Sequence, residues 1–281
     1  MTISRRRFAA LSGAAAMLAS TPAFAQPRQA RILVFHKATG YAHPSIQTGI
    51  EMMRGIASRE RLEIEVTDDP EIFSTENLGR FDGITFLCST TDSQHAESEW
   101  LVGPRRDALQ AFVRRGGAIV GIHAAADSHH HWPWYGQMIG GYFDRHPASP
   151  NVRPGRLLVV DRNDPSTRGL PAVIERADEW YLFRDFNPLV HVLIVAEVGS
   201  VYDAGSDPVN AQWYTSQTNT PTRYRLPEVN PKPVSWRHEF EGANVFYTSM
   251  GHVPESFTEP LVVQHITGGL RWALGRERAR G

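Results

Sequence analysis

Histidines occur where runs of apolar residues end in this sequence. His36, His123 and His252 each stand at or just after the end of such a run. Neutral imidazole is the commonest metal ligand in proteins and also moves protons near neutral pH. A single histidine at a strand end is usually a hydrogen-bonded structural residue, but several at one edge favour a site. Glu179 could complete a histidine and carboxylate set of the kind that holds a catalytic zinc-like ion, although an ordinary surface acid is the alternative.

Three further polar residues lie in loops near the same predicted edge. His43 directly precedes Pro44 at the start of the first predicted helix, Asp127 closely follows His123, and His146 lies in a later loop. Each of these side chains can take up or release a proton in a reaction. We therefore predict His43, Asp127 and His146 as candidate acid–base residues.

The segment around His123 has the pattern of a nucleophile elbow. Residues 117–125 predict a strand, a tight turn and the start of a helix, with His123 at the turn. Imidazole is a poor nucleophile for acyl transfer, so this position disfavours Ser–His–Asp or Cys–His chemistry. Cys88, the single cysteine, ends a different strand and has no evident partner. Because the chain has one cysteine, it cannot form an intramolecular disulfide.

A histidine triplet at 129–131 precedes the aromatic residues Trp132, Trp134 and Tyr135. Three adjacent histidines cannot all face one ion, so we expect one of them, His130, to face the cleft and the others to be solvated. Aromatic rings at a site edge suit a sugar, whose apolar face stacks on flat rings. The three rings and His130 are therefore predicted to bind substrate. The alternative is that the rings cap the core, which we expect for at least two of them.

Strands that alternate with helices in the first half of the chain would position these residues. This alternation predicts an α/β fold with an open, doubly wound, mostly parallel, flavodoxin-like sheet. Ligands bind at the carboxyl ends of the strands in such sheets. The predicted strands here are 31–35, 62–66 at an edge, 81–88 and 118–122, and the helices are 44–59 and 99–115.

The second half is richer in strands but belongs to the same predicted domain. Residues 199–233 contain many Pro, Asn, Thr and Ser residues, which predicts a long loop over one face. No internal repeat or low-complexity block divides the chain. The predicted elements are strands at 156–161, 179–186, 190–198, 235–240 and 244–249, and a helix within 257–274.

The first 25 residues predict a cleaved twin-arginine signal, which leaves 26–281 as one domain. Arg5, Arg6 and Arg7 lead into Phe8, a short apolar stretch follows, and residues 23–25 form a small-x-small cleavage site. An uncleaved anchor is the alternative, but the stretch is shorter than the roughly 18–20 residues of a span. We therefore expect a periplasmic or secreted protein without a membrane anchor after cleavage.

The charge balance excludes one class of partner. The chain carries 29 basic and 30 acidic residues, and the predicted signal contains three of the arginines. The resulting negative charge provides no basic field for nucleic acid. A small molecule is the expected partner, and the sequence does not determine the oligomeric state.

In combination, several segments resemble the ThuA-like (trehalose utilisation) family over nearly all of residues 31–275. The segments are 36–43, 116–125, 132–147, 178–181 and 245–252. The resemblance implies a fold like that of class I glutamine amidotransferases, with His123 in place of their nucleophilic cysteine. It also implies sugar metabolism and, in some members, a divalent metal. Carried over by position, it implies His123, Glu179 and His252 as metal ligands, followed by His36.

Two functions are compatible with these features. The first is a periplasmic enzyme that uses a zinc-like ion and acts on a glycoside or an oxidised (keto) sugar as a hydrolase or a lyase/isomerase. The alternative is a non-catalytic carbohydrate-binding protein that uses the aromatic residues 132–135. A glutaminase-like activity is disfavoured because the elbow carries no thiol.

Overall fold

The structure is a computed structural model that describes residues 28–147, 149–197 and 232–277. The predicted signal at 1–25 and nearly all of the predicted loop at 199–233 lie outside these residues. The strands are β1 (Arg31–Phe35), β2 (Glu63–Thr67), β3 (Gly83–Leu87), β4 (Ala118–Ile122), β5 (Tyr142–Arg145), β6 (Val152–Val159), β7 (Val173–Glu179), β8 (Leu182–Arg184), β9 (His191–Ala196), β10 (Lys232–Phe240) and β11 (Ala243–Thr248). The helices are α1 (Ile46–Glu60), α2 (Thr75–Leu78), α3 (Pro104–Arg114), α4 (Pro133–Ile139) and α5 (Pro260–Ala273).

Nine of the strands in the described residues form one mixed sheet in the order β2-β1-β3-β4-β11-β10-β9-β6-β7. The first five strands in this order pair in parallel. From β11 onward each neighbour is antiparallel. The remaining strands, β5 and β8, pair with each other in a small antiparallel sheet. The carboxyl ends of β4 and β11 are therefore neighbours, which places the segments after them side by side.

Apolar side chains cover both faces of the parallel strands. Residues such as Val34 and Val120 pack with α1 and α5 on one face. Their neighbours Leu33 and Ile119 pack with α3 and α4 on the other face. Parallel strands are buried on both faces because helices cover each side, which explains why every residue of β3 and β4 is buried.

The predicted α/β class is confirmed, with differences at several element ends. The predicted strand 179–186 is divided, since Glu179 ends β7 and only residues 182–184 form β8. The helix predicted at 99–115 begins at Pro104, because Gly103 has a positive φ of 52° and interrupts the helical backbone. Among the described residues, no helix has the length and apolar character of a membrane span.

Candidate metal centre

Four buried side chains converge at the carboxyl ends of β4 and β11. His43, His123, Glu179 and His252 each offer one ligand atom, and these atoms all lie within 4.8 Å of one another. His123 directly follows β4, His252 follows β11, and Glu179 ends β7. His43 comes from the loop before α1. We call these four residues the histidine group.

The turn after β4 holds the His123 side chain against the end of the sheet. His123 has a φ of 50° and begins a short 3-10 helix, His123–Ala126. Gly121 makes room for this turn, because a Cβ at this position would lie 2.9 Å from the ring of Tyr247. The Tyr247 hydroxyl donates a hydrogen bond to the His123 carbonyl oxygen at 2.7 Å. The geometry is that of an elbow in which imidazole occupies the position of the nucleophile.

A backbone contact fixes the tautomer of His123. Its Nδ1 lies 2.6 Å from the carbonyl oxygen of Ser249, which accepts a hydrogen bond and so requires a proton on Nδ1. The neutral ring then carries a lone pair on Nε2. That atom lies 3.1 Å from Nε2 of His43, 3.1 Å from the Tyr181 hydroxyl and 3.6 Å from Oε2 of Glu179. The Nε2 lone pair of His123 therefore faces the centre of the group.

The His43 ring meets His123 edge to face. The Nε2 atoms of the two rings are 3.1 Å apart. Two nitrogens that bind one zinc ion at about 2.1 Å in a tetrahedral arrangement would lie roughly 3.4 Å apart. Nδ1 of His43 is buried and has no hydrogen-bond partner among the described residues. The spacing of the two rings thus matches a pair of ligands on one ion.

Glu179 connects the remaining members of the group. Its Oε2 lies 3.0 Å from Nδ1 of His252, and its Oε1 accepts a hydrogen bond from the side-chain amide of Asn151 at 2.6 Å. Nε2 of His146 lies 3.5 Å from the same Oε1. The Glu179 carboxylate therefore has one oxygen toward the group and the other toward Asn151 and His146.

Asp178 anchors the backbone that carries Glu179 and His252. Its carboxylate accepts hydrogen bonds from the backbone amides of Glu179 (2.9 Å), Gly251 (3.0 Å) and His252 (3.1 Å). Arg176, also buried, forms an ion pair with it at 2.6 Å. Because Asp178 contacts both segments, it fixes the position of one ligand relative to the other.

Burial sets the protonation of the group. It lowers the pKa of His43 to about 2 and that of His123 to about 4. Burial alone would raise the pKa of Glu179, but a hydrogen bond with His252 and the nearby His123 and Asn151 outweigh it and lower that pKa to about 2. At neutral pH these two imidazoles are neutral and the carboxylate is charged. Metal ligands need these protonation states.

A cavity of about 500 Å³ lies beside the group. We call it the polar cavity; it is lined by Gly40, Tyr41, Thr91, Asp92, Ser93, Gln94, Asp127, His130, Phe143, Asp144 and Arg184. Tyr41 joins it to the group, since its ring lies 4.8 Å from that of His43. A second cavity of about 660 Å³ is lined by residues of α1 and α5 such as Arg59 and Gln264, and by no member of the histidine group.

The sequence model of a family described as trehalose utilisation matches residues 31–273 of this chain. The chain belongs to the ThuA family. Membership confirms the predicted resemblance and indicates a carbohydrate-related role. No curated protein sequence matches the chain at a significant level.

Solved structures share the fold at low sequence identity. A putative ThuA-like protein from Bacteroides uniformis is 21% identical, with a TM-score of 0.61 over 90% of this chain and 95% of that one. One from Parabacteroides merdae is 14% identical, with a TM-score of 0.64 over 90% and 93%. A glutamine amidotransferase from Thermotoga maritima is 10% identical, with a TM-score of 0.53 over 88% and 99%. These similarities confirm the amidotransferase-like fold that the resemblance implied.

The amidotransferase-like fold of this ThuA chain carries no exposed thiol near its elbow. Cys88 is buried at the end of β3, and burial raises the pKa of its thiol to about 12. The thiol is therefore protonated at neutral pH and inert as a nucleophile. This agrees with the sequence argument against acyl-transfer chemistry at His123.

The structure brings together three of the four residues predicted as ligands and leaves out His36. Strand β3 lies between β1, which His36 follows, and β4, which His123 follows. Two strand spacings of about 4.8 Å therefore separate the ends of these strands. His252 follows β11, an immediate neighbour of β4. We replace His36 in the candidate ligand set with His43, which the sequence suggested only as a proton carrier.

The other two predicted acid–base residues, His146 and Asp127, lie outside the group and have different neighbours. His146 is 38% exposed and lies against Glu179. Asp127 lines the polar cavity, where its Oδ1 is 2.9 Å from Nε2 of His130. Both side chains thus lie beside the group without belonging to it.

The structure does not support the prediction that Trp132, Trp134 and Tyr135 bind a sugar. Tyr135 is fully buried and donates a hydrogen bond to the Ala125 carbonyl oxygen, and Trp132 is also buried. Trp134 stacks on Trp132 and donates to Glu241. These rings begin α4 and pack into the core, because residues 132 and 135 share a helical face. The positions of these rings in the structure agree with the alternative prediction, that at least two of the three rings cap the core.

The histidine triplet has one member in the polar cavity, His130. The expectation that the other two are solvated is wrong for His129, which is fully buried beside Trp100. His131 lies at the surface, 3.2 Å from Oε1 of the buried Glu99. Glu99 therefore holds the triplet in place from inside.

Sequence reasoning did not identify three residues of the centre. Tyr181 contacts His123, Asn151 contacts Glu179, and Asp178 anchors the loop before His252. Asp178 and Tyr181 belong to the segment 178–181, which carried the family resemblance, so that segment held a usable signal. Asn151 stands in a loop with no such pattern.

Proposed function

We propose that this ThuA-family chain is an exported, metal-dependent enzyme that acts on a sugar. The observation that carries the proposal is the convergence of four ligand atoms within 4.8 Å, with the Nε2 lone pair of His123 fixed toward the others. The carbohydrate-related role of the family supports the choice of a sugar. The reaction class is hydrolysis of a glycoside, or elimination or isomerisation of an oxidised (keto) sugar.

The side chains of the histidine group fit a zinc-like divalent ion. Three imidazoles and one carboxylate are the nitrogen and oxygen donors that zinc takes in catalytic sites. The 3.1 Å separation of the Nε2 atoms of His43 and His123 supports the fit, because it is close to the roughly 3.4 Å expected for two nitrogens on one zinc ion. His43, His123, Glu179 and His252 would hold the ion, and a carbonyl group or a water that it would polarise would then be a fifth ligand.

The chain's own residues supply orientation and proton transfer. Ser249 keeps the proton of His123 on Nδ1, and Asp178 holds the backbone of Glu179 and His252. His146, beside Glu179 and partly exposed, can exchange a proton with solvent. Asp127 can accept one from a substrate hydroxyl in the polar cavity. All the proposed reactions need a proton acceptor near the polarised group, which these positions provide.

Bound metal provides the first test of the proposal. Wild-type protein and the variants His123→Ala and His36→Ala are loaded with zinc, desalted and analysed by mass spectrometry for metal per chain. We expect about one ion per chain in the wild type and in His36→Ala, and little in His123→Ala, because structural and catalytic zinc sites need their full ligand set. His36→Ala is the matched control, since it removes a strand-end histidine outside the group. Equal metal content in the two variants would contradict the proposal.

The twin-arginine signal is the second part of the proposal. Arg5 and Arg6 would direct export of the folded protein to the periplasm. Replacement of both with lysine should keep the protein in the cytoplasm with its signal uncleaved. Normal periplasmic accumulation of that variant would contradict the proposal that the twin-arginine signal directs export.

A further inference from the structure

We propose that the polar cavity binds an uncharged or cationic sugar and selects against sugar acids and sugar phosphates. This inference rests on the proposed function and specifies its substrate class. The cavity volume of about 500 Å³ lies within the range of roughly 300–1,000 Å³ for small-molecule sites. Its position beside His43 places a bound sugar next to the candidate metal centre.

Acidic side chains dominate the charge of the cavity. Of the residues that the structure describes, Asp92, Asp127 and Asp144 line it together with one guanidinium, that of Arg184. Asp144 also pairs with Arg145 and Asp92 with His95, and these partners lie outside the lining. A carboxylate or phosphate on the ligand would meet like charge at short range, which selects against anionic ligands.

The Arg184 guanidinium is already engaged on three sides. Its NH1 donates to Asp185 at 2.8 Å, its NH2 lies 2.9 Å from Nδ1 of His130, and it stacks over the Tyr142 ring at 4.7 Å. Arginine recognises an anion by presenting two parallel N–H groups to it. Because two of its nitrogens have protein partners, Arg184 would have to give up these contacts to bind a sugar acid.

The same contacts make Asp127 a hydrogen-bond acceptor for a hydroxyl. Nδ1 of His130 accepts a hydrogen bond from Arg184, so a neutral His130 carries its proton on Nε2 and donates it to Oδ1 of Asp127 at 2.9 Å. A carboxylate has about four lone-pair sites, and this bond uses one of them. Asp127 therefore retains acceptor capacity, which a sugar hydroxyl fills and a ligand carboxylate does not.

Two aromatic rings line the side of the cavity next to the histidine group. Tyr41 is 59% exposed, and its ring lies 6.3 Å from that of His252 with the two planes nearly parallel. The Phe143 ring lies 4.3 Å from that of Tyr181, which contacts His123. The apolar face of a sugar ring packs on such side chains. Among the described residues, the polar cavity thus offers an apolar surface and hydroxyl acceptors, but no side-chain cation free to bind an anion.

Titration calorimetry with three matched sugars tests the inference. Glucose, glucosamine and glucuronate share a ring and differ in charge. We expect glucose and glucosamine to bind, and glucuronate to bind at least about tenfold more weakly, which corresponds to about 1.4 kcal/mol. Glucuronate that binds as tightly as glucose, or the absence of binding by both glucose and glucosamine, would overturn the inference.

Two variants and one control connect the binding to the cavity. Asp127→Asn should weaken glucose binding, since an amide replaces a charged acceptor. The double variant Asp92→Asn/Asp144→Asn should lower the ratio of the affinity for glucose to the affinity for glucuronate. Asp107→Asn changes an exposed aspartate on α3 and should leave both affinities unchanged. If Asp107→Asn changed the ratio as much as the double variant, the selectivity would not come from the cavity.

The measurements are made on both EDTA-treated and zinc-loaded protein, so that the two proposals are tested separately. Preference for glucose over glucuronate in protein that never binds zinc would support the cavity inference and refute the metal-dependent function. Zinc binding through His123 without any preference among the sugars would refute the cavity inference and leave the metal centre intact.

Discussion

Buried histidines occur in two different surroundings in this molecule. His238 and His265 lie in the antiparallel half of the sheet and against it, and burial lowers the pKa of each to about 4. Nε2 of His238 lies 2.8 Å from the Met138 carbonyl oxygen. The two nitrogens of His265 lie 2.9 Å from the Ser166 carbonyl oxygen and 2.7 Å from the Ser235 hydroxyl. These rings are hydrogen-bonded to the protein as ordinary structural residues.

The histidine group is equally buried, but its nitrogens meet one another. His123 has a pKa lowered to about 4, as His238 and His265 have, yet its Nε2 faces Nε2 of His43 rather than a carbonyl group. Burial and a lowered pKa therefore do not distinguish a ligand from a structural histidine. The distinguishing feature is that ligand atoms of four side chains lie within 4.8 Å of one another, whereas the nitrogens of His238 and His265 meet carbonyl or hydroxyl groups.

Acid should destabilise the metal-free protein through both sets of histidines. In the unfolded chain these imidazoles take up protons below their ordinary pKa of 6.5, whereas the folded rings of His123, His238 and His265 do so only near pH 4. Stability is therefore complete above pH 6.5 and falls as the pH drops toward 4, by up to about 1.4 kcal/mol per pH unit for each histidine. Urea unfolding of EDTA-treated protein at pH 7.5 and 5.5 measures the difference.

A variant identifies the residues responsible for this acid sensitivity. His265→Gln should reduce the pH dependence by about one proton, because the glutamine does not titrate. His123→Gln should reduce it by a similar amount in the absence of metal. Stability that is constant or increases between pH 7.5 and 5.5 would contradict the burial argument for both sets.

Zinc should stabilise the protein through the histidine group and not through His238 or His265, because it binds only where lone pairs converge. Zinc at a thousand times its dissociation constant stabilises a folded protein by about 4 kcal/mol. For a domain of this size each kcal/mol raises Tm by roughly 2–4 °C, so we expect a rise of about 8–16 °C in the wild type. His123→Ala and Glu179→Gln should lose this rise, and calorimetry with and without zinc measures it.

His265→Gln provides the control for the zinc experiment. This variant removes a fully buried histidine outside the group and should start from a lower Tm but keep the full zinc-dependent rise. A His265→Gln protein that lost the rise as His123→Ala does would show that zinc stabilises the fold by some other route.

Substitution of Asp178, which anchors the backbone of the group, should reduce zinc affinity less than substitution of the ligands themselves. Asp178→Asn weakens the contacts to the backbone amides of Glu179, Gly251 and His252, and such outer residues change metal affinity by about 10–100-fold. Asp164→Asn is a matched control, because Asp164 is also fully buried and paired with an arginine, Arg237. Both variants should lose stability, but only Asp178→Asn should bind zinc more weakly in competition with a chelator. Equal zinc affinities of the two variants would show that Asp178 does not position the site.

The sequence predicted those parts of the site that depend on local pattern. Residues 118–122 and 244–249 read as strands, and the histidines that follow them meet because β4 and β11 are neighbours. The order of strands is not written in any local pattern. His36 ends a strand of the same kind, but β3 lies between its strand and β4, and so it falls outside the group.

Longer connections were harder to predict, for physical reasons that differ between residues. His43 reaches the group because its loop folds back over the sheet edge, and no periodicity describes such a path. Glu179 was expected to begin a strand and instead ends β7. The aromatic residues 132–135 do carry a signal of burial: Trp132, Tyr135 and Met138 recur every three residues, a spacing typical of the buried face of a helix.

The smallest expected effect comes from the partner of a structural histidine. Ser235→Ala removes the hydroxyl that contacts Nε2 of His265 and leaves that buried nitrogen without this partner. The hydroxyl also contacts the Tyr247 carbonyl oxygen at 2.7 Å, so two contacts are lost at about 1 kcal/mol each, which urea unfolding resolves. Zinc affinity should not change, because Ser235 does not contact the histidine group and His265 has no role in ligation. A measurable fall in zinc affinity would mean that the two sets of histidines are coupled through β10 and β11, and the distinction between them would then be one of degree.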